Sequence, residues 1–188
     1  MKHFIATLAV LLFALQCWAE DPVRTFEGTV TRVSDGDTIQ VTDQHGTKVK
    51  VRLYGIDAPE TKKGSTPGQP YGEESFQALR HKVDRQQVRL DVMDIDKYKR
   101  LVAIVWLPDR NINREMISDG AAWAYRKYLG RPHASEYINI EEQARKSAKG
   151  LWKQNNPQPP WEFRKAPKSM VVGKGSIHET SPNNTLRP

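Results

Sequence analysis

Three short stretches of this 188-residue chain carry side chains that could do chemistry together. Asp35-Gly36-Asp37-Thr38 stands where a run of β-branched residues breaks, and Arg52-Leu53-Tyr54-Gly55-Ile56-Asp57-Ala58-Pro59-Glu60-Thr61 where a second run ends and turns at Pro59. Asp96-Lys97-Tyr98-Lys99-Arg100 is a charged turn between two further apolar runs. Taken singly, each reads as a polar turn, the commoner reason for such residues. Jointly they hold complementary parts. The carboxylates of the first two stretches are hard oxygen donors of the kind Ca2+ prefers, with backbone carbonyls and water completing a shell. Arg52 and Arg100 carry planar forks that suit a phosphate bidentately. Glu60 is a spare carboxylate able to order or deprotonate a water. A metal, an acid-base carboxylate and phosphate clamps are the parts needed for phosphodiester hydrolysis.

The elements that must position these groups are strands. Residues 26–33 end at a Ser34-Asp35-Gly36-Asp37 turn. Ile39 and Val41 alternate with polar neighbours up to Asp43-Gln44-His45-Gly46, and Val49, Val51 and Leu53 repeat the alternation, which puts Arg52 on the opposite face. Val88, Leu90 and Val92 form a fourth strand and the continuous apolar run 101–107 a fifth. Three helices fit between and after them. The first has Phe76, Leu79 and Val83 on one face. The second is capped by Asn113 and stopped by Gly120. The third shows Tyr137, Ile140, Ala144 and Ala148 on one side and ends at Gly150. Five short strands with interspersed helices predict an α+β, five-stranded OB-type barrel.

Residues 1–19 read as a signal peptide: Lys2 precedes an apolar run over 4–15 and small residues two apart, Cys17 and Ala19. The run is short for a bilayer span, which takes ~20 residues, so no membrane association is expected once the leader is removed. The single Cys17 leaves with it. A cysteine-free chain cannot mispair in an oxidising compartment, and a cysteine-rich zinc module is excluded. The five His residues form no i, i+4 pair, so metal ligands should be oxygens. The folded domain is expected over 20–163, with Trp161-Glu162-Phe163 as a closing apolar latch. Residues 164–188 read as a disordered basic tail. The formal charge of +7 is uneven. Residues 20–152 carry 22 basic and 20 acidic side chains, so most of the excess lies in the leader and tail.

In residues 33–38, 51–61, 71–75, 96–101, 113–123 and Gly150-Leu151-Trp152, the chain resembles the staphylococcal nuclease (thermonuclease) family in its secreted bacterial form. The resemblance spans about residues 25–163 in the family's order and spacing. It implies Asp37 and Asp57 as direct ligands of one Ca2+, with the Ala58 main-chain carbonyl beside them and Asp35 in the outer shell. It implies Glu60 as general base, Arg52 and Arg100 on the scissile phosphate, and Lys97 and Tyr98 near the neighbouring phosphate and sugar. Tyr125 and Tyr128 are both candidates for the ring that stacks on a base, with Tyr128 ahead, and either is as readily a core tyrosine. The implied activity is hydrolysis of DNA and RNA to 3′-phosphate ends by an exported monomer, periplasmic or extracellular, without a stable protein partner.

Two departures from the family pattern bear on the site. Ala58 replaces a threonine whose metal contact is main-chain, so little should change. Lys99 replaces a glycine, at a position expected to need an unusual backbone angle. Two other readings compete. Glu60-Thr61-Lys62 superficially matches the Glu-x-Lys of restriction-endonuclease-like sites, but Pro59 argues against the central strand those sites need. A non-catalytic OB-fold nucleic-acid-binding module is the other alternative. The completeness of the set Asp37, Asp57, Glu60, Arg52 and Arg100 speaks against it.

Overall fold

The computed structural model describes residues 22–166; the leader and the chain beyond 166 lie outside the described residues. Strand β1 (Arg24–Asp35) turns at Gly36 into β2 (Thr38–Asp43), and β2 turns at Asp43 into β3 (Lys48–Leu53). At that second turn the Asp43 carboxylate accepts the backbone N–H of His45 and of Thr47, each at 2.8 Å, and Gly46 supplies the positive φ. After the short β4 (Ile56–Asp57) and helix α1 (Gly72–Val83) come β5 (Gln87–Ile95) and β6 (Leu101–Leu107). β1 pairs antiparallel with β2 and β5, β2 with β3, and β5 with β6; the parallel pairing of β3 with β6 closes the barrel. Two register breaks in β1, at Val30/Arg32 and Val33/Asp35, bend the strand so that it can serve both neighbours.

Closure follows from the alternation seen in the sequence. Ile39, Val41, Val51, Leu53, Leu90 and Val92 all point inward and are buried, each contributing about 1.5–3 kcal/mol of burial free energy. Past β7 (Arg110–Asn111), α2 (Ile112–Ser118) packs on β6 and on α3 (His133–Lys146), with β8 (Trp123–Ala124) between the two helices in the chain. Leu79 and Val83 of α1, Ile112, Met116 and Ile117 of α2, and Tyr137 of α3 complete the core. The architecture is the expected five-stranded OB-type barrel with three helices of at least seven residues. Among the described residues no helix is long and apolar enough to cross a membrane.

Two helix ends differ from expectation. The cap of α2 is Asn111, whose side chain accepts the Arg114 N–H at 3.1 Å. Asn113 lies inside the helix, fully buried. Its carbonyl oxygen accepts Val105 N–H (2.9 Å) while its amide donates to the Tyr54 and Ala103 carbonyls (2.9 and 3.1 Å). A buried amide that ties α2 to β6 and to the end of β3 resembles a cap in sequence, because both uses select asparagine. Gly120 does stop α2: Gly120 N–H reaches Ile117 O and Ala121 N–H reaches Met116 O, each at 2.9 Å, with φ +66 at the glycine. Helix α3 ends at Lys146 rather than Gly150, and Ala148 already has φ +47. Gly150 instead opens a one-turn 3-10 helix, Gly150–Lys153, pressed so closely against Gly120 that a Cβ on either residue would meet the other segment's backbone.

The expected latch is present as α4 (Pro160–Phe163). Trp161 stacks on Tyr125 at 5.1 Å between centroids and 4° between planes, and meets Trp123 edge-on at 5.5 Å. Trp152 also meets Trp123 edge-on, at 4.5 Å, and Arg145 lies over both of those rings. This corner matters to the chemistry because Trp123 pairs with Asp57 in the two-stranded β4–β8 sheet.

Candidate active site

One end of the barrel gathers the first two of the stretches singled out in the sequence. Thr38 pairs with both Asp35 and Arg52, so the first hairpin sets its aspartates beside the Arg52 strand position. Arg52 also pairs with Val102 across the closing seam, which brings in the turn that precedes β6. Immediately after β3, Gly55 reverses the chain with φ +70, and β4 returns Asp57 to the same end.

Arg52 is the hub. Its Nη1 is ion-paired with Asp37, and its Nη2 donates to Asp57 Oδ1 (2.6 Å) and to the Ile56 carbonyl (3.3 Å). Asp37 also accepts the Thr38 hydroxyl and the Ala58 N–H, both at 2.9 Å. Burial pushes the Asp37 carboxyl up, but the Arg52 charge, the Ala58 N–H and the Thr38 hydroxyl together hold it below the ordinary carboxylate range. Asp57, with no solvent exposure, shifts the other way: burial and the neighbouring Asp37 charge raise it against the pull of Arg164 and Arg52. Asp35 is raised as well, by burial first and then by Asp37, with Lys63 opposing. Arg52 itself is raised despite burial, because two carboxylates hold it.

Glu60 lies beyond these three and is more open, its side chain 21% exposed. Its backbone is fixed twice by Gln69: Gln69 N–H donates to Glu60 O at 2.8 Å, and Glu60 N–H reaches Gln69 Oε1 at 3.3 Å. Gly72 packs directly beneath, where a Cβ would collide with the Glu60 carbonyl. Gly72→Ala should therefore cost about 1–3 kcal/mol, as overpacking against an immovable neighbour does. Thermal melting checks this; an unchanged midpoint would show that the loop yields freely.

Two cations that sequence reasoning missed complete the cluster. Lys63 Nζ bridges Asp35 Oδ2 (2.5 Å) and Glu60 Oε2 (3.0 Å). Arg164, the first residue of the segment read as a tail, forks onto Asp57 (Nη1–Oδ1 3.1 Å, Nη2–Oδ2 2.7 Å) and reaches Glu60 Oε1 at 2.7 Å. Four carboxylates thus face three cations. Lys63 has a local signal, three residues after Glu60. Arg164 has almost none, beyond standing one helical turn past the Trp161 latch. Glu60-Thr61-Lys62 lies in a loop, not on a strand, and the lysine that joins the cluster is Lys63; the restriction-type geometry is absent.

The third stretch stands apart. Asp96 accepts the N–H of Tyr98 (2.9 Å) and of Arg100 (3.0 Å), and receives the Arg100 guanidinium at 2.7 Å through both Nε and Nη2. Arg100 is therefore turned onto its own turn rather than onto the aspartates. Lys99 adopts φ +61, the left-handed angle expected where the family pattern has glycine, a conformation costing a side-chain-bearing residue on the order of 1 kcal/mol. Lys97 and Arg100 both lie over the exposed Tyr98 ring, at 5.0 and 5.5 Å. Tyr128 is exposed, with Lys127 over its ring, whereas Tyr125 is half-buried and covered on one face by Trp161.

The donor chemistry suits a hard divalent cation. Asp37, Asp57 and the carbonyl of Ala58 supply oxygen only, at a place the protein itself fills with positive charge. Among the described residues no group of three or more His, Cys, Asp or Glu side chains is arranged to hold a metal ion.

A family model for staphylococcal nuclease homologues matches residues 50–154. "Micrococcal nuclease" of Shigella flexneri is 36% identical over 174 residues, covering 88% of this chain and 92% of that protein. "Protein ParB" of Escherichia coli is 39% identical over 175 residues, 88% and 91% of the two chains. An "Uncharacterized endonuclease" of Haemophilus influenzae is 37% identical over 139 residues, 74% and 73% of the two. With its closed barrel, its carboxylate-arginine cluster and relatives matched over most of their length, this chain belongs to the staphylococcal nuclease family.

Proposed function

We propose that the chain is an exported, Ca2+-dependent, sugar-non-specific endonuclease that hydrolyses DNA and RNA and leaves 3′-phosphate ends. Nuclease activity as such is supported by the family and by the names of its relatives. The observation that carries the finer reading is the convergence of Asp37 and Asp57 on Arg52 at one barrel end, with Glu60 joined to Asp57 through Arg164.

Each residue has work it can do there. Asp37, Asp57 and the Ala58 carbonyl would hold Ca2+, which supplies Lewis-acid polarisation of a phosphate oxygen. Arg52 makes three bonds to protein oxygens and so keeps two of its five N–H groups without a partner among the described residues. Those two can donate to a phosphate oxygen as charge builds on it. Glu60 is the open carboxylate and accepts a proton from the attacking water at a carboxylate oxygen. The water oxygen bonds to phosphorus, the bond from phosphorus to the 5′ oxygen breaks, and that oxygen takes up a proton. Arg100, freed from Asp96, would reach the same phosphate. Lys97, Tyr98 and the ring of Tyr128 or Tyr125 would line the neighbouring nucleotide.

Digestion of a supercoiled plasmid and of RNA tests the reading. Cleavage is expected with Ca2+ and should be abolished by a chelator, with Mg2+ a poor substitute because it demands stricter octahedral geometry and gives up water reluctantly. The new ends should accept label at a 5′-hydroxyl without prior dephosphorylation. No nicking with or without Ca2+ would leave the non-catalytic binding module as the better reading.

A further inference from the structure

The C-terminal end of the described chain is built into the site rather than resting near it. Gln69, which fixes the backbone of Glu60, also donates from Nε2 to the Gln158 carbonyl at 2.5 Å. Pro159 is extended, Pro160 starts α4, and Trp161 docks flat on Tyr125. Arg164 N–H closes the turn on Pro160 O at 3.0 Å, which sets the guanidinium over Asp57 and Glu60. Asp57 then has a guanidinium on each of its oxygens: Oδ1 accepts both Arg52 and Arg164, and Oδ2 accepts Arg164. A fully buried carboxylate needs such a partner. A divalent cation drawn to Asp57 would meet the Arg164 charge seated on both oxygens, so binding it there favours displacement of Arg164. The Arg164 side chain is 37% exposed at the end of a single helical turn, so it can swing into solvent once another cation takes over its charge at Asp57.

We infer that Arg164 is a further residue of this site, a built-in cation that occupies Asp57 and Glu60 in the ion-free protein and is displaced by the divalent metal, so that it sets the metal affinity. The inference rests on the reading of Asp57 as a metal ligand. Its energetic form is that of a binding-competent state only partly populated: apparent affinity falls by the fraction of molecules in which Arg164 has left. The contact also restrains Glu60 until the cation arrives, which couples metal occupancy to release of the carboxylate that would activate water.

The test is calorimetric titration of the intact folded chain with CaCl2, without nucleic acid. Arg164→Gln should tighten Ca2+ binding about fivefold or more, and Arg164→Lys, which keeps the charge but loses the fork, should fall between it and the parent. Lys165→Gln separates contact from general charge, since it removes the same charge one residue along and the Lys165 side chain makes no hydrogen bond or ion pair among the described residues. It should change the affinity less than twofold. Ca2+ binding by Arg164→Gln with none by the parent would also support the inference. Equal affinity in the parent and Arg164→Gln, or an equal gain in Lys165→Gln, would overturn it while leaving the calcium reading intact. No Ca2+ binding by either the parent or Arg164→Gln would remove both. Melting curves show that the variants compared are folded, and the conservative Arg164→Lys keeps the comparison decisive if Arg164→Gln is not.

Discussion

Glu60→Gln should lower turnover on plasmid DNA by on the order of 10²–10⁴-fold, the contribution expected of a positioned general base, while the protein melts within a few degrees of its parent. The two halves have separate causes. The amide is nearly isosteric but cannot accept the proton of the attacking water, so the loss falls on the chemical step. A thousandfold loss corresponds to about 4 kcal/mol of transition-state stabilisation. Stability is spared because Glu60 sits in a loop, is partly exposed, and pairs with Lys63 and Arg164, both of which reach solvent; such pairs are worth roughly 0–1 kcal/mol. Its backbone anchors, Gln69 and the close seat on Gly72, do not involve the carboxylate. Steady-state kinetics at saturating Ca2+ beside a thermal melt separates the two. Near-normal turnover would remove Glu60 from the mechanism.

Arg52→Ala should be damaging in both respects. It strips a cation from between two buried carboxylates, a change that typically costs about 3–5 kcal/mol because Asp37 stays buried without a counter-charge while Asp57 keeps only Arg164. The loss should depend on pH, and its sign follows from the pair. In the parent, Asp37 is held below the ordinary carboxylate value of 3.8. Its stabilising contribution is therefore present above that value and is lost as pH falls through the folded value. Without Arg52 both Asp37 and Asp57 rise, so the variant carries a penalty at neutral pH that fades once the carboxyls protonate. The stability gap between parent and variant should be widest near pH 7 and narrow towards pH 4, as read from denaturant melts across that range. A gap independent of pH would mean that Arg52 acts through packing alone. Arg52→Lys keeps a charge but not a fork that spans two aspartates, so it should recover part of the stability and little of the activity.

The barrel was largely legible because its strands advertise themselves. Period-two alternation at 39–41, 49–53 and 88–92 and the unbroken run at 101–107 correspond to β2, β3, β5 and β6. The misread positions share one feature. Asn113 resembles a cap in sequence because asparagine serves equally at a helix terminus and as a buried bridge between backbones, and only the neighbours at Tyr54, Ala103 and Val105 distinguish the two. The end of α3 was placed late because Gly150 is a conspicuous stop, when the close approach of Gly120 is what demands it. Lys99 adopts the left-handed angle that the family's glycine at this position implies, since a turn that needs such an angle constrains its own backbone locally.

The five barrel strands, the turns that carry Asp35, Asp37, Asp57 and Glu60, and the family are all written in residues close along the chain; the two-residue strands β4, β7 and β8 are not. Only the tertiary structure decided which cations meet those carboxylates. Arg100, at the mouth of β6, is drawn back by Asp96 four residues away, while Arg164 reaches Asp57 across 107 positions. Local geometry is encoded by neighbours, and so can be read from them. An ion pair between distant segments depends on where a proline-rich connection and a stacked tryptophan happen to deliver a guanidinium, and that has no period, spacing or propensity to betray it.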